Sequence, residues 1–312
     1  EKVYDGETYI LIDHPDAGEL LEVGMPDLPV FTQALIIPDQ GNAVLEILSY
    51  EMQEFKDVTV YPQEALQYEH EVPRDNFTKS STFYEGKGVF PANIAQVGEP
   101  AIMRDMRLLP ITFNPFQYSA GNRTLTVYTN IIVQVNVEGS GGINAKYSDR
   151  KRSRVFEEMY RSNTLNYDQL SFRNEYQVPT ILFICNNDNS VLNNLEYLTE
   201  WKKQKGYNVV VATTSQTGTT NVSIKNYIQN AYDNWENPPE YVNIMGDGDG
   251  DFTIPTWYHT HSYTGEGDHP YCQLEGNDLL GDLFMGRMTF SSISEFTLTL
   301  LPVSSLFTAT DK

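Results

Sequence analysis

The chain has 312 residues, room for two ordinary domains, with 40% hydrophobic residues and a formal net charge of −21 at pH 7. This composition supports packed cores and argues against global disorder. The negative charge repels phosphates and so argues against nucleic acid or anionic membranes as partners, and no apolar run approaches the roughly 18 residues of a membrane span.

Residues 1–145 alternate short apolar runs with turn signals. "YILI", "VFTQALII", "AVLEILSY", "VTVYP", "MRLLPITFNPFQYS" and "LTVYTNIIVQVNV" are separated by "HPDAGE", "PDQGN", "SAGNR" and "EGSGG". Regular strands without a long helical period predict an all-β, sandwich or barrel-like domain. A hairpin is expected around Ala120-Gly121-Asn122. Residues 146–177 read as a basic linker carrying Lys146, Arg150, Lys151, Arg152, Arg154, Arg161 and Arg173, seven of the chain's 21 Lys and Arg. Its spacing predicts a short helix near 155–160, and the segment reads as a solvated connector or a protease-sensitive processing site. The sequons at Asn76, Asn122 and Asn221 read as chance matches.

From residue 178 to 312 the pattern becomes strand, helix, strand, helix, strand. "TILFIC" reads as a strand buried on both faces, with Cys185 a small buried hydrophobe. "SVLNNLEYLTEWKKQKG" has helical spacing, with Leu192, Leu195, Leu198 and Trp201 on one face and Asn189 or Ser190 as cap. "YNVVVATT" is the second strand. "VSIKNYIQNAYDNW" is the next helix, stopped by Pro238-Pro239, and "EYVNIMGD" the third strand. This order implies a parallel α/β sheet with right-handed crossovers, whose ligands lie beyond the carboxyl ends of the strands, where Asp247 falls.

Asp247, Asp249 and Asp251 stand at alternate positions in "GDGDGD". They fit neither a dinucleotide nor a P-loop fingerprint, and an EF-hand would need Gly and Glu where Phe252 and Tyr258 stand. Residues 226–286 contain eleven acids and no Lys or Arg. Carboxylates so crowded repel one another unless a cation neutralises them, and a Ca2+ site is the economical expectation, beside an ordinary acidic surface. His259, His261, His269 and Asp268 have zinc-like spacing without a helix to fix it. Cys272 with His269 or His259 is a candidate thiol dyad.

"YLTEWKKQKGYNVVV", "IKNYIQNAYDNWENPPEYVNIMGD" and "YCQLEGNDLLGDLFMGRM" together resemble, in order and spacing, the gingipain family of secreted cysteine peptidases. "DLPVFTQALIIP" and "MRLLPITFNPFQYS" resemble that family's propeptide more loosely. The resemblance implies a β-rich propeptide followed by a caspase-like α/β catalytic domain that cleaves protein or peptide substrates. It also implies an intramolecular propeptide–catalytic contact and a secreted or cell-surface location. A structural Ca2+ would be held by Asp247 and the carboxylates of Asp278 and Asp282, with the backbone carbonyls of Glu275 and Leu280. The catalytic His and Cys of the family would follow "GRMTFSSISEF". The chain is therefore expected to be a propeptide plus the N-terminal part of the catalytic domain, inactive as given, with no catalytic residue assigned. The alternative is a non-catalytic secreted or cell-surface binding or secretion-associated protein on the same scaffold.

Overall fold

The computed structural model describes residues 1–67, 77–172, 175–260 and 264–308. Asn76, Arg173 and His261, singled out above, lie outside the described residues. The chain divides into two compact units. Glu1–Pro100, Leu108–Ile143 and Asn163–Asn166 form the first; Ala101–Arg107, Asn144–Ser162 and Tyr167–Lys312 form the second.

The first unit opens with a hairpin of β1 (Lys2–Tyr4) and β2 (Glu7–Tyr9). Its turn residues Asp5 and Gly6 both have positive φ, 48° and 78°, the geometry that keeps a tight hairpin in step with strand twist. Then come β3 (Gly18–Glu19), β4 (Pro29–Ile37), β5 (Asn42–Lys56), the one-turn helix α1 (Ser81–Tyr84), β6 (Val89–Phe90) and β7 (Ala95–Val97). After β8 (Ala101–Met103), which lies in the second unit, run β9 (Met106–Phe113), β10 (Phe116–Ser119) and β11 (Thr124–Glu138). One sheet has the order β3-β4-β9-β7 and another β5-β11-β10-β6. The hairpin read from the sequence is present: β10 and β11 are antiparallel, with Ser119 opposite Thr124. Leu28, Val60, Phe83, Phe90, Tyr118 and Leu125 form the core of this unit.

The second unit contains α2 (Glu157–Asn163), β12 (Thr180–Cys185), α3 (Asn189–Gln204), β13 (Asn208–Thr213), α4 (Thr214–Thr217), α5 (Asn221–Asn234), β14 (Tyr241–Met245), β15 (Trp257–Thr260), β16 (Thr264–Gly267), β17 (Phe284–Met288) and α6 (Ile293–Thr308). The parallel sheet has the order β13-β12-β14-β17, so β12 is central, and all six of its residues are buried. Strand alternation splits them between two cores. Ile181, Phe183 and Cys185 pack with Val191, Leu195 and Leu198 of α3 and Phe296 of α6. Leu182 and Ile184 pack with Ile224, Ile228 and Tyr232 of α5.

The cap of α3 is Asp188, one position before Asn189 and two before Ser190, the expected caps. Its carboxylate accepts N–H bonds from Ser190 at 2.7 Å and Val191 at 3.1 Å. Asp at this position combines the capping geometry with a charge favoured by the helix dipole. Among the described residues no helix is long and apolar enough to cross a membrane.

This architecture sets a hierarchy of stabilities. Phe183→Ala empties the middle of one core and is expected to cost about 3–5 kcal/mol, whereas Asp188→Ala removes only a cap and is expected to cost about 1 kcal/mol. Urea unfolding of the two variants checks the order; equal losses would mean that the sheet is not the stability centre of this unit.

Candidate functional site

β14 ends in Gly246, at φ 150°, where a Cβ would lie 2.3 Å from the Phe252 carbonyl oxygen. Only glycine lets the chain turn here. Asp247 follows. Its side chain accepts the Gly248 N–H at 2.7 Å and its carbonyl accepts the Ile254 N–H at 2.8 Å. Asp249 and Asp251 are exposed. Arg287, from β17, closes this loop. Its Nη1 donates to the carbonyls of Gly246 (3.0 Å) and Ile254 (2.8 Å), and Nε and Nη2 grip both oxygens of Asp268 at 2.7 and 2.8 Å. Asp268, considered above beside the histidines, thus serves a bidentate ion pair.

The loop 272–282 is built around a buried carboxylate. Asp282 is fully buried; Oδ1 accepts the Arg104 N–H at 2.8 Å, and Oδ2 accepts those of Leu274 and Glu275 at 2.7 and 2.8 Å. Burial raises its pKa to about 6 against these three donors, which pull the other way. Asp278 accepts from Leu280 N–H on Oδ1 and from Ile102 N–H and Asn144 Nδ2 on Oδ2. Glu275 accepts from Ser148, from Arg150 at 3.1 Å and from the Tyr232 hydroxyl at 3.0 Å.

Four of the expected calcium positions, Glu275, Asp278, Leu280 and Asp282, thus share one loop. The contacts of Asp247 lie in the other, with Gly248, Thr253 and Ile254. The carboxylate oxygens face N–H and O–H donors, and a guanidinium stands beside Glu275. Among the described residues no three His, Cys, Asp or Glu converge to hold a metal.

Among the described residues, three of the eleven acids of 226–286 form ion pairs. Their partners come from outside the window: Arg287 for Asp268, Arg150 for Glu275 and Lys151 for Glu236, the last at 3.5 Å. Arg150 also lies 3.8 Å from the Tyr232 ring centroid. The basic segment is therefore not a solvated connector. Lys146, Ser153, Phe156 and Tyr160 are buried, and α2 occupies the stretch where a short helix was expected. Lys151, Arg154 and Arg161 remain exposed.

Neither thiol is activated. Cys185 is fully buried in β12, and burial pushes its pKa up to about 11. The structure does bring Cys272 to His269, with Sγ 3.5 Å from Nδ1, while His269 Nε2 contacts the Leu279 carbonyl at 2.8 Å. Cys272 is nevertheless buried, its S–H donates to the His269 carbonyl at 2.9 Å, and burial and then the charge of Asp282 raise its pKa. A nucleophilic thiol needs the opposite surroundings.

Sequence reasoning missed Arg104. It lies in "MRDMR", where an arginine beside Asp105 and three residues before Arg107 reads as an ordinary charged turn, yet it is wholly buried in the second unit.

The Propeptide_C25 family matches residues 6–173, and Peptidase family C25 matches residues 174–301. Gingipain R2 of Porphyromonas gingivalis (strain ATCC BAA-308 / W83) is 28% identical over 276 residues, which are 87% of this chain and 36% of that protein. Lys-gingipain of Porphyromonas gingivalis (strain ATCC 33277) is 26% identical over 308 residues, 94% of this chain and 17% of that protein. The chain thus spans about a third or less of these relatives. Among solved structures, the complex of Porphyromonas gingivalis RgpB pro- and mature domains is similar at 28% identity with a TM-score of 0.46. The similarity covers 50% of this chain and 78% of that one.

The burial of both sulfurs predicts that iodoacetamide at pH 8 labels neither Cys185 nor Cys272 in the native chain and labels both in denaturant. Rapid native labelling of Cys272, followed by mass spectrometry, would show that the thiol opens to solvent and has a thiolate fraction that its surroundings do not favour.

Proposed function

Since the chain belongs to peptidase family C25, propeptide included, we propose that its residues form the propeptide and peptidase-domain stretch of a gingipain-like cysteine endopeptidase acting on proteins or peptides. The observation that carries this is the consecutive match to the two families over residues 6–301. The parallel α/β unit supplies the scaffold on which such a site would be built. A secreted or cell-surface location accords with the charge of −21. The propeptide's partner is the peptidase stretch of the same chain. The product of the whole gene, assayed with fluorogenic Arg-, Lys- and mixed-sequence peptides, is expected to show turnover abolished by thiol alkylation. A product inert after processing would favour the second reading, a non-catalytic secreted binding or secretion-associated protein on this scaffold.

The 312 residues themselves are expected to hydrolyse no peptide bond, even with reductant and calcium. A thiol needs an adjacent base to form thiolate and aimed donors for the oxyanion; Cys185 is sealed inside β12, and Cys272, though 3.5 Å from His269 Nδ1, is buried with its pKa raised. Turnover that vanishes in Cys272→Ala would make the Cys272–His269 pair the active dyad and overturn this assignment.

A structural Ca2+ at Asp247, Glu275, Asp278, Leu280 and Asp282 stands as a further proposal, supported by the acid-rich composition of 226–286. It requires Asp278 and Asp282 to exchange N–H donors for the ion. An ion at about 100 times its Kd, bound only by the folded state, adds about 2.7 kcal/mol. Melts with calcium and with chelator are then expected to differ by several degrees, and Asp278→Ala to abolish the difference. Identical melts remove the site.

A further inference from the structure

Resting on the reading of residues 6–173 as propeptide, we propose that the second unit contains an arginine-binding pocket, filled in this chain by its own Arg104, that fastens the propeptide hairpin Ala101–Arg107 to the peptidase residues.

The pocket reads a guanidinium and little else. Arg104 Nη1 donates to the carbonyls of Pro239 at 2.9 Å and Asp282 at 2.8 Å. Nη2 donates to Gln177 Oε1 at 3.1 Å and the Pro238 carbonyl at 3.2 Å. Four acceptors thus meet the four N–H groups of the fork. The remaining donor, Nε, has no hydrogen bond and lies 3.9 Å from Asp105 Oδ1. The rings of Phe156 and Tyr232 each lie 5.4 Å from Cζ, within cation–π range. A lysine ammonium is a single point with three donors and cannot span acceptors placed for a planar fork.

The walls are held by their own chemistry. Pro238 and Pro239 have fixed φ and no N–H, so this turn offers carbonyls at a set angle. Gln177 is oriented by its Nε2, which donates to the Pro238 carbonyl at 2.8 Å. Gln177, Tyr232, Pro238, Pro239 and Asp282 all belong to the stretch matched by the peptidase family, whereas Arg104 belongs to the stretch matched by the propeptide family.

The hairpin is aimed into the pocket from both sides. The N–H groups of Ile102 and Arg104 bond to Asp278 and Asp282, each at 2.8 Å. The Tyr160 hydroxyl donates to the Met103 carbonyl at 2.9 Å and accepts the Asp105 N–H at 3.2 Å. Arg104 has φ 48°, a left-handed conformation that non-glycine residues keep where their surroundings over-determine them. A merely structural arginine needs partners for its charge; here backbone and side chain are both held, the first by Asp282 and the second by four acceptors.

The test is chemical rescue in the full 312-residue chain. Arg104→Ala leaves a guanidinium-shaped vacancy and is expected to lower Tm by roughly 5–15 °C. Ethylguanidinium at millimolar concentration is expected to restore part of that loss. Ethylammonium, of equal charge, is expected to restore none, and wild type to respond to neither. Equal effects of the two cations, or none on a folded variant, overturn the pocket. Should the alanine variant fail to fold, Arg104→Lys decides. It is expected to melt lower than wild type and to lose hydrogen-exchange protection at the amides of Ile102 and residue 104. A lysine variant that keeps wild-type Tm and protection overturns selectivity for the guanidinium. These readouts do not involve peptide hydrolysis, so a failed activity assay leaves the test standing.

Discussion

A chain with 42 acids and 21 Lys and Arg must find a donor for every carboxylate that its fold removes from water. Transfer of a lone carboxylate into the interior costs far more than a small domain can absorb, so its pKa rises or partners converge on it. Both happen in the second unit. Asp105, Glu240 and Asp282 are buried, and burial raises the pKa of each. Ser153, itself fully buried, supplies two of them at once: its N–H bonds Asp105 at 2.8 Å and its hydroxyl bonds Glu240. Arg104 and Arg150 then lie among these acids, and the aromatic faces of Phe156 and Tyr232 complete the surroundings. The basic segment, the 101–107 hairpin and the acid-rich loops therefore depend on one another, because removing any one leaves buried charge without compensation.

The sheet was legible because its signals are one-dimensional. "TILFIC" is an uninterrupted apolar run and became the central strand; the 3.6-residue spacing of Leu195 and Leu198, and of Ile224 and Ile228, became the helical faces that cover it. The hairpin at Ala120 followed from turn chemistry alone. The charge network was not legible, since Arg150 reaches Glu275 across 125 positions and Arg104 reaches Asp282 across 178. A window without Lys or Arg in sequence says little about which cations surround it in space.

The division of this chain by family and its division by folding do not coincide. The two families meet between Arg173 and Asn174, yet Ala101–Arg107 and Asn144–Ser162, on the propeptide side of that point, fold within the second unit. Lys151, Arg154 and Arg161 are exposed, while the guanidiniums of Arg104 and Arg150 are engaged elsewhere. A cut at the exposed residues breaks a covalent bond and no contact of the hairpin. It removes only the high effective concentration at which a tether holds two segments together. On the propeptide reading proposed above, cleavage there and separation would be distinct events, the second governed by how readily the buried hydrogen bonds of Arg104 and Asp282 are exchanged for water.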